Sequence, residues 1–125
     1  MERHRTDAYV TVLTDLWSVS MGELTTAAIQ CLPYSTVIGE TTWGGHGPLY
    51  TNWPMSFTGQ FGDINQGHFV YTSHFETRNL DGQNYEGRGI TPDIEVLNDL
   101  RATLSGNDPQ LNKAIEVLNE KTSAQ

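Results

Sequence analysis

β-branched and aromatic residues crowd residues 8–14, "AYVTVLT", which read as a strand. The apolar period then changes. Leu24, Ala27, Ala28, Cys31 and Leu32 recur at helical spacing and predict a helix over 21–32, stopped by Pro33. Residues 35–38, "STVI", form a second short strand with Gly39 at its exit. Strand, helix and strand in this order predict a parallel pair joined by a crossover helix.

Beyond Gly39 the pattern dissolves. "GETTWGGHGPLYTNWP", residues 39–54, reads as a long shaped loop, a kind of segment that often carries function. Residues 55–62 and 67–76 alternate as an antiparallel pair around "DINQG", and "RNLDGQNYEGRGITPD" is a second turn-rich stretch. "IEVLNDLRATLSG" and "DPQLNKAIEVLNEKTSAQ" read as helical. Asp108 is placed to cap the second of these, with Pro109 at its first position and Leu111, Ile115 and Leu118 as one apolar stripe. There is no internal repeat and no low-complexity linker.

A chain of 125 residues suffices for one domain. The formal charge of -8, from 15 acidic against 7 basic residues, leaves no Lys/Arg stripe to neutralise phosphates. It excludes a nucleic-acid partner and disfavours docking on an anionic membrane. No apolar run is long enough to span a bilayer. The charged start "MERHRTD" is followed by no apolar signal-peptide core. The single Cys31 excludes an internal disulfide and a cysteine metal cluster, and its place in an amphipathic helix suggests a buried structural thiol. No metal or other cofactor is called for.

Candidate chemistry gathers at "SVSMGE", residues 18–23, where strand hands over to helix. A helix N-terminus offers unpaired N–H groups and the positive end of the dipole. A serine just before it can attack a carbonyl while the next N–H receives the developing charge. Ser20 has Met21 and Gly22 where those groups lie, and Gly22 lets a substrate backbone approach. The plainer reading is an N-cap: Glu23, three residues after Ser20, completes a capping-box pattern, and on local pattern alone capping serines far outnumber nucleophiles.

"VTVLTD", "SVSMGE", "STVIGETTWGG", "EGRGITPDIEV" and "DPQLNKAIEVL" stand in the order found in the C-terminal processing (tail-specific) serine peptidases, a family that includes the tricorn core protease and its bacterial relatives. From about Tyr9 to Leu118 the chain resembles this family. The resemblance implies a crotonase-like α/β fold of spiralling ββα units, here partial, as a mixed sheet with flanking helices. It also implies a serine endopeptidase acting on protein or peptide substrates through an acyl-enzyme at Ser20, with the Met21 N–H as half of the oxyanion hole.

One departure matters. Processing peptidases place a lysine base in the loop after "GETT"; here the loop reads "WGGHG", with Gly45 at that place, and the only lysines are Lys113 and Lys121 in the last helix. The tricorn-type branch has a similar "TWGG" loop and takes a histidine base from well before the nucleophile. The chain is therefore expected to be the C-terminal portion of a peptidase catalytic domain, with the base, the second oxyanion donor and any signal peptide upstream. The family suggests a bacterial periplasmic, exported or lipoprotein parent.

Among internal groups His46 is the best-placed base, though an ordinary loop histidine is the simpler reading. His68 and His74 flank a predicted strand, and His4 sits near the chain start. The family implies that an acidic residue from the "EGRGI" region orients the serine or histidine; Glu86 is its candidate, level with a purely structural role in a turn. Glu23 and Glu40 read as structural, through caps or loop hydrogen bonds, and Asp93 as closing the turn before the strand "IEV". Trp43, Gly44, Gly45 and Trp53 are candidates to line a substrate groove, although loop tryptophans also pack as lids. Two other readings stay open. The fold is reused in interphotoreceptor retinoid-binding proteins, so a non-catalytic module for apolar ligands or peptides is the alternative. An inactive self-associating fragment is the third. A homo-oligomer is expected in any case, because an exposed strand edge and apolar face favour association.

Overall fold

The β-branched run after Tyr9 forms strand β1 (Val10–Thr14), and its register partner is β2 (Ser35–Gly39), parallel to it from Val10↔Ser35 to Thr14↔Gly39. Helix α1 (Met21–Gln30) makes the crossover between them, as the sequence pattern predicts. The computed structural model describes residues 8–46, 61–63, 68–70, 78 and 82–123. A third parallel strand, β5 (Ile94–Glu95), pairs with β2 through Ile38↔Ile94 and gives the sheet order β1-β2-β5. Between them in sequence, β3 (Phe61–Asp63) and β4 (His68–Val70) form a separate antiparallel pair. Helices α2 (Leu100–Leu104) and α3 (Pro109–Ser123) complete the described elements.

Val37 and Ile38 are both fully buried although adjacent side chains of a strand point to opposite faces, so β2 is covered on both sides. Ile38 packs with Ala114 and Val117 of α3, and Tyr9, Ile94 and Val96 close around them. Helix α1 also packs against β1 and β2. Burying a side chain of this size contributes about 1.5–3 kcal/mol, so the centre of β2 is the thermodynamic anchor of the sheet. Asp93 fastens the entry to β5. Its Oδ2 accepts from the Val37 N–H at 2.7 Å, its own N–H donates to the Val37 carbonyl at 2.8 Å, and Oδ1 accepts from Gln30 Nε2 at 3.0 Å.

The fold is the expected α/β arrangement of a small sheet with flanking helices, but several local expectations change. The expected mixed sheet separates into a parallel three-stranded sheet and the β3–β4 pair. That pair is antiparallel as expected; the rest of 55–62 and 67–76, including His74, lies outside the described residues, as do His4 and Trp53. The stretch from Ile94 is not one helix: Ile94 and Glu95 pair with the open edge of β2, in keeping with the strand reading of "IEV", and only Leu100–Leu104 is helical, started by Asp99. Cys31 is exposed, not buried, because α1 ends one residue earlier and turns Glu23, Thr26 and Ala27 inward. In α3 the buried residues are Gln110, Ala114 and Val117, while Leu111 and Ile115 remain about half exposed. The small Ala114 lets α3 lie close to the sheet, and Gln110 is satisfied by donating from Nε2 to the Val96 carbonyl at 3.0 Å.

Candidate active site

Val19–Gly22 forms a tight turn, with the Gly22 N–H donating to the Val19 carbonyl at 3.0 Å. Ser20 occupies the second position at φ 58° and ψ -117°, the values of a type II′ turn, where glycine is the usual occupant. It is the one non-glycine residue with positive φ among the described residues. Holding an L-residue there costs about 1–3 kcal/mol. The side chain is exposed and makes no cap hydrogen bond. Ser20 and Glu23 face each other as a capping box, the Ser20 side chain toward the Glu23 N–H and Glu23 Oε2 accepting from the Ser20 N–H at 3.1 Å; only the second is within hydrogen-bond geometry. The Glu23 N–H is already taken by the Ser20 carbonyl at 3.0 Å, so the hydroxyl is not needed there.

Ser18 is engaged differently. Its Oγ donates to Asp15 Oδ1 at 3.0 Å and accepts from the Asp15 N–H at 3.2 Å, which closes the turn leaving β1. The Met21 N–H has no partner among the described residues and stands beside the serine at the start of α1. The Gly22 N–H is occupied by Val19, so what Gly22 supplies is room: a Cβ there would meet nothing within 4 Å.

The loop leaving β2 wraps this turn. The Gly45 carbonyl also accepts from the Ser20 N–H, at 3.1 Å, and the Trp43 N–H donates to the Ser18 carbonyl at 3.2 Å. Glu23 is completely buried, and Oε1 accepts from Thr42 Oγ1 and from the Gly44 N–H, both at 2.6 Å. Thr42 Oγ1 in turn accepts from the Ile90 N–H at 2.7 Å. Thr42 has no distinctive sequence signal beyond its place in "GETTWGG"; its importance comes from linking two loops. His46 is not a solvated loop histidine: it is 1% exposed, with Nδ1 3.8 Å from Glu23 Oε2 and its ring 6.2 Å from that of Tyr85.

The "EGRG" turn closes the arrangement. Glu86 Oε2 accepts from the His46 N–H at 2.7 Å, and the Gly87 N–H donates to the Gly44 carbonyl at 2.7 Å. Gly44, at φ 86°, is buried against this turn: a Cβ there would lie 2.7 Å from the backbone nitrogens of Arg88 and Gly89. Gly45 faces inward too, since its Cβ would come within 2.8 Å of Val19 Cγ2. Of the proposed groove residues it is Trp43 that is open, 60% exposed, edge-to-face with Trp17 at 6.3 Å between ring centroids. Trp17 was not apparent as a partner from sequence, because the loop that carries Trp43 folds back over residues 17–20 only in the tertiary structure.

Ser20, Met21, His46, Glu86 and the Trp43–Gly45 loop are thus brought into one neighbourhood, beyond the C-terminal ends of β1 and β2. That is where parallel sheets place ligands. Glu40 lies aside, its Oε1 accepting from the Asn98 N–H at 2.6 Å. The two lysines are engaged on α3, Lys113 with Glu116 at 2.7 Å and Lys121 over the Tyr9 ring at 5.6 Å. Among the described residues no cluster of three or more His, Cys, Asp or Glu is arranged to hold a metal, and no helix is long and apolar enough to cross a membrane.

An exposed hydroxyl on a strained strand-to-helix turn, beside an open N–H, is the type of arrangement used by serine hydrolases. The chain belongs to Peptidase family S41, whose family model matches residues 2–96. Among solved structures it is similar to the tricorn protease, with TM-score 0.71 and 24% identity over 90% of this chain and 10% of that one, a likeness of fold. It is also similar to a candidate peptidase from Parabacteroides merdae ATCC 43184, with TM-score 0.70 and 28% identity over 94% of this chain and 34% of that one. The chain therefore spans about a tenth and about a third of these two proteins. A search of curated proteins found no match.

Proposed function

We propose that the chain carries the nucleophile of a serine endopeptidase, with Ser20 forming the acyl-enzyme and the general base supplied from outside these residues, on the tricorn-like plan. The observation that supports this most is Ser20 itself. Its backbone is held at φ 58°, and its exposed side chain makes no cap hydrogen bond although it faces Glu23 in a capping box. A merely capping serine would sit in the extended region and not at positive φ. Ser20 Oγ attacks the peptide carbonyl carbon as the base takes its proton, and the Met21 N–H stabilises the oxyanion. The tetrahedral intermediate collapses, the C–N bond breaks, and the base passes its proton to the leaving amine. Water then attacks the acyl-enzyme by the same route in reverse, releasing the carboxylate product and Ser20.

Glu86, tied to the His46 backbone, is the orienting acid of this reading. His46 is less suited to be the base, since its ring is enclosed beside Glu23. The exposed Trp17–Trp43 pair offers an apolar wall to a substrate side chain. The crotonase-like core belongs to the same proposal, as does self-association: β1 has one edge unpaired within its sheet among the described residues. Sedimentation equilibrium should show a dimer or larger species, and a stable monomer at high micromolar concentration would remove that element.

The decisive experiment treats the complete protein, including whatever part supplies the base, with a fluorophosphonate and locates the adduct by peptide mass mapping. The expected adduct is on Ser20. Labelling on Ser18, or none at all, would overturn the assignment and leave the apolar-ligand module as the reading to pursue.

A further inference from the structure

Glu23 is the most deeply enclosed charged side chain described, with 0% exposure, and the chemistry proposed above assigns it no task. Burying a carboxylate is costly unless its oxygens are satisfied. Here they are satisfied by groups from two separate segments. Oε1 receives the Thr42 hydroxyl and the Gly44 N–H, both at 2.6 Å, and Oε2 receives the Ser20 N–H at 3.1 Å. Thr42 carries the connection on to the Ile90 N–H. A helix cap at the surface needs none of this. The one backbone group of the nucleophile turn that this carboxylate holds belongs to the residue at positive φ.

We propose that Glu23 is the positioning residue of the site: its carboxylate clamps the Ser20 backbone in the strained turn and locks that turn to the Thr42–His46 loop, so that the hydroxyl points outward. The inference rests on Ser20 being the nucleophile only for its effect on rate; the clamp itself is a statement about backbone strain. Without the carboxylate the Ser20 N–H keeps only the Gly45 carbonyl, at 3.1 Å, and the turn can relax toward an unstrained backbone.

Glu23→Gln separates the two arms. The single amide oxygen can keep the Thr42 and Gly44 bonds, whereas the amide nitrogen then faces the Ser20 N–H as a second donor and cannot accept from it. In the complete protein the expected result is a fold that persists, a Ser20 phosphonylation rate at least tenfold lower, and a loss in kcat with KM unchanged. Wild-type labelling by Glu23→Gln overturns the proposal.

A second measurement reads the clamp without any chemistry. Glycine adopts φ 58° freely, so Ser20→Gly removes the strain that Glu23 is said to hold. The stability lost in Glu23→Gln should be larger in the Ser20→Gly background than in the wild type, where relaxation of the strained turn offsets part of the lost hydrogen bond. An equal loss in both backgrounds means the two residues are not coupled, and the clamp is wrong. This cycle stays readable even if Ser20 proves not to be the nucleophile, because unlabelled wild-type protein defeats the peptidase reading and leaves the strain coupling to be measured.

Discussion

Helix α3 starts on Asp108, whose Oδ1 accepts from the N–H groups of Gln110 at 2.9 Å and Leu111 at 3.0 Å; helix α1 starts on Ser20, whose side chain makes no cap hydrogen bond. Helix α2 follows the first pattern, with Asp99 in extended backbone accepting from the N–H groups of Arg101 at 3.0 Å and Ala102 at 3.1 Å. Two helix starts therefore use the capping side chain for local stability. The third holds its cap residue exposed at positive φ with no cap hydrogen bond from its side chain, and its Met21 N–H has no partner among the described residues. The same sequence position thus has two competing uses, and at α1 the stabilising use has been set aside. The work of holding that end of the helix passes to Glu23, which joins the Ser20 N–H to Thr42 and Gly44, 19 and 21 residues on in sequence.

Substitutions at the two caps should break this contrast if it is mistaken. The largest effect is expected from Ser20→Ala in the complete protein. Peptide cleavage should fall roughly 10⁴-fold or more, while stability to urea moves by no more than about 0.5 kcal/mol. A destabilisation comparable to losing a cap would make Ser20 an ordinary cap after all. Asp108→Ala should do the opposite, costing about 1 kcal/mol of stability with kcat/KM unaltered, as measured by the same unfolding and cleavage assays. A comparison of similar size sharpens the contrast most. Ser20→Gly should be more stable than Ser20→Ala by about 1 kcal/mol, since only glycine relieves the positive φ. If alanine is the more stable of the two in paired denaturation curves, the turn is not strained in solution.

Local pattern carried the β1–α1–β2 unit, the start of α3 at Asp108 and the joint at Ser20, because each depends on neighbours within one or two turns. It failed where a neighbour from elsewhere decides. Residues Ile94 and Glu95 offer two readings, a strand after the Asp93 turn or the start of a helical stretch, and the unfilled hydrogen-bonding edge of β2 decides for the strand. Cys31 and the Leu111–Ile115 stripe fit a helical period, yet which stripe faces the sheet depends on how closely the helix can approach it. The small Ala114 and the short Thr26–Ala27 face settle that in α3 and α1.

The candidate site divides in the same way. A hydroxyl at a helix N-terminus, followed by a glycine and an acid three residues on, is written in consecutive residues, and so sequence alone determined where the nucleophile would be sought. It also excluded a lysine dyad in the "WGGHG" loop, since no lysine stands there. The positive φ of Ser20, the burial of His46 and the convergence of Thr42, Gly44 and Ser20 on one carboxylate were decided by tertiary structure alone. A backbone strain of 1–3 kcal/mol and a buried charge are each unfavourable in isolation. They persist only because the loops after β1 and β2 supply the donors and the turn at Glu86–Gly89 packs against them, its Gly87 N–H on the Gly44 carbonyl, and no stretch of consecutive residues contains all three.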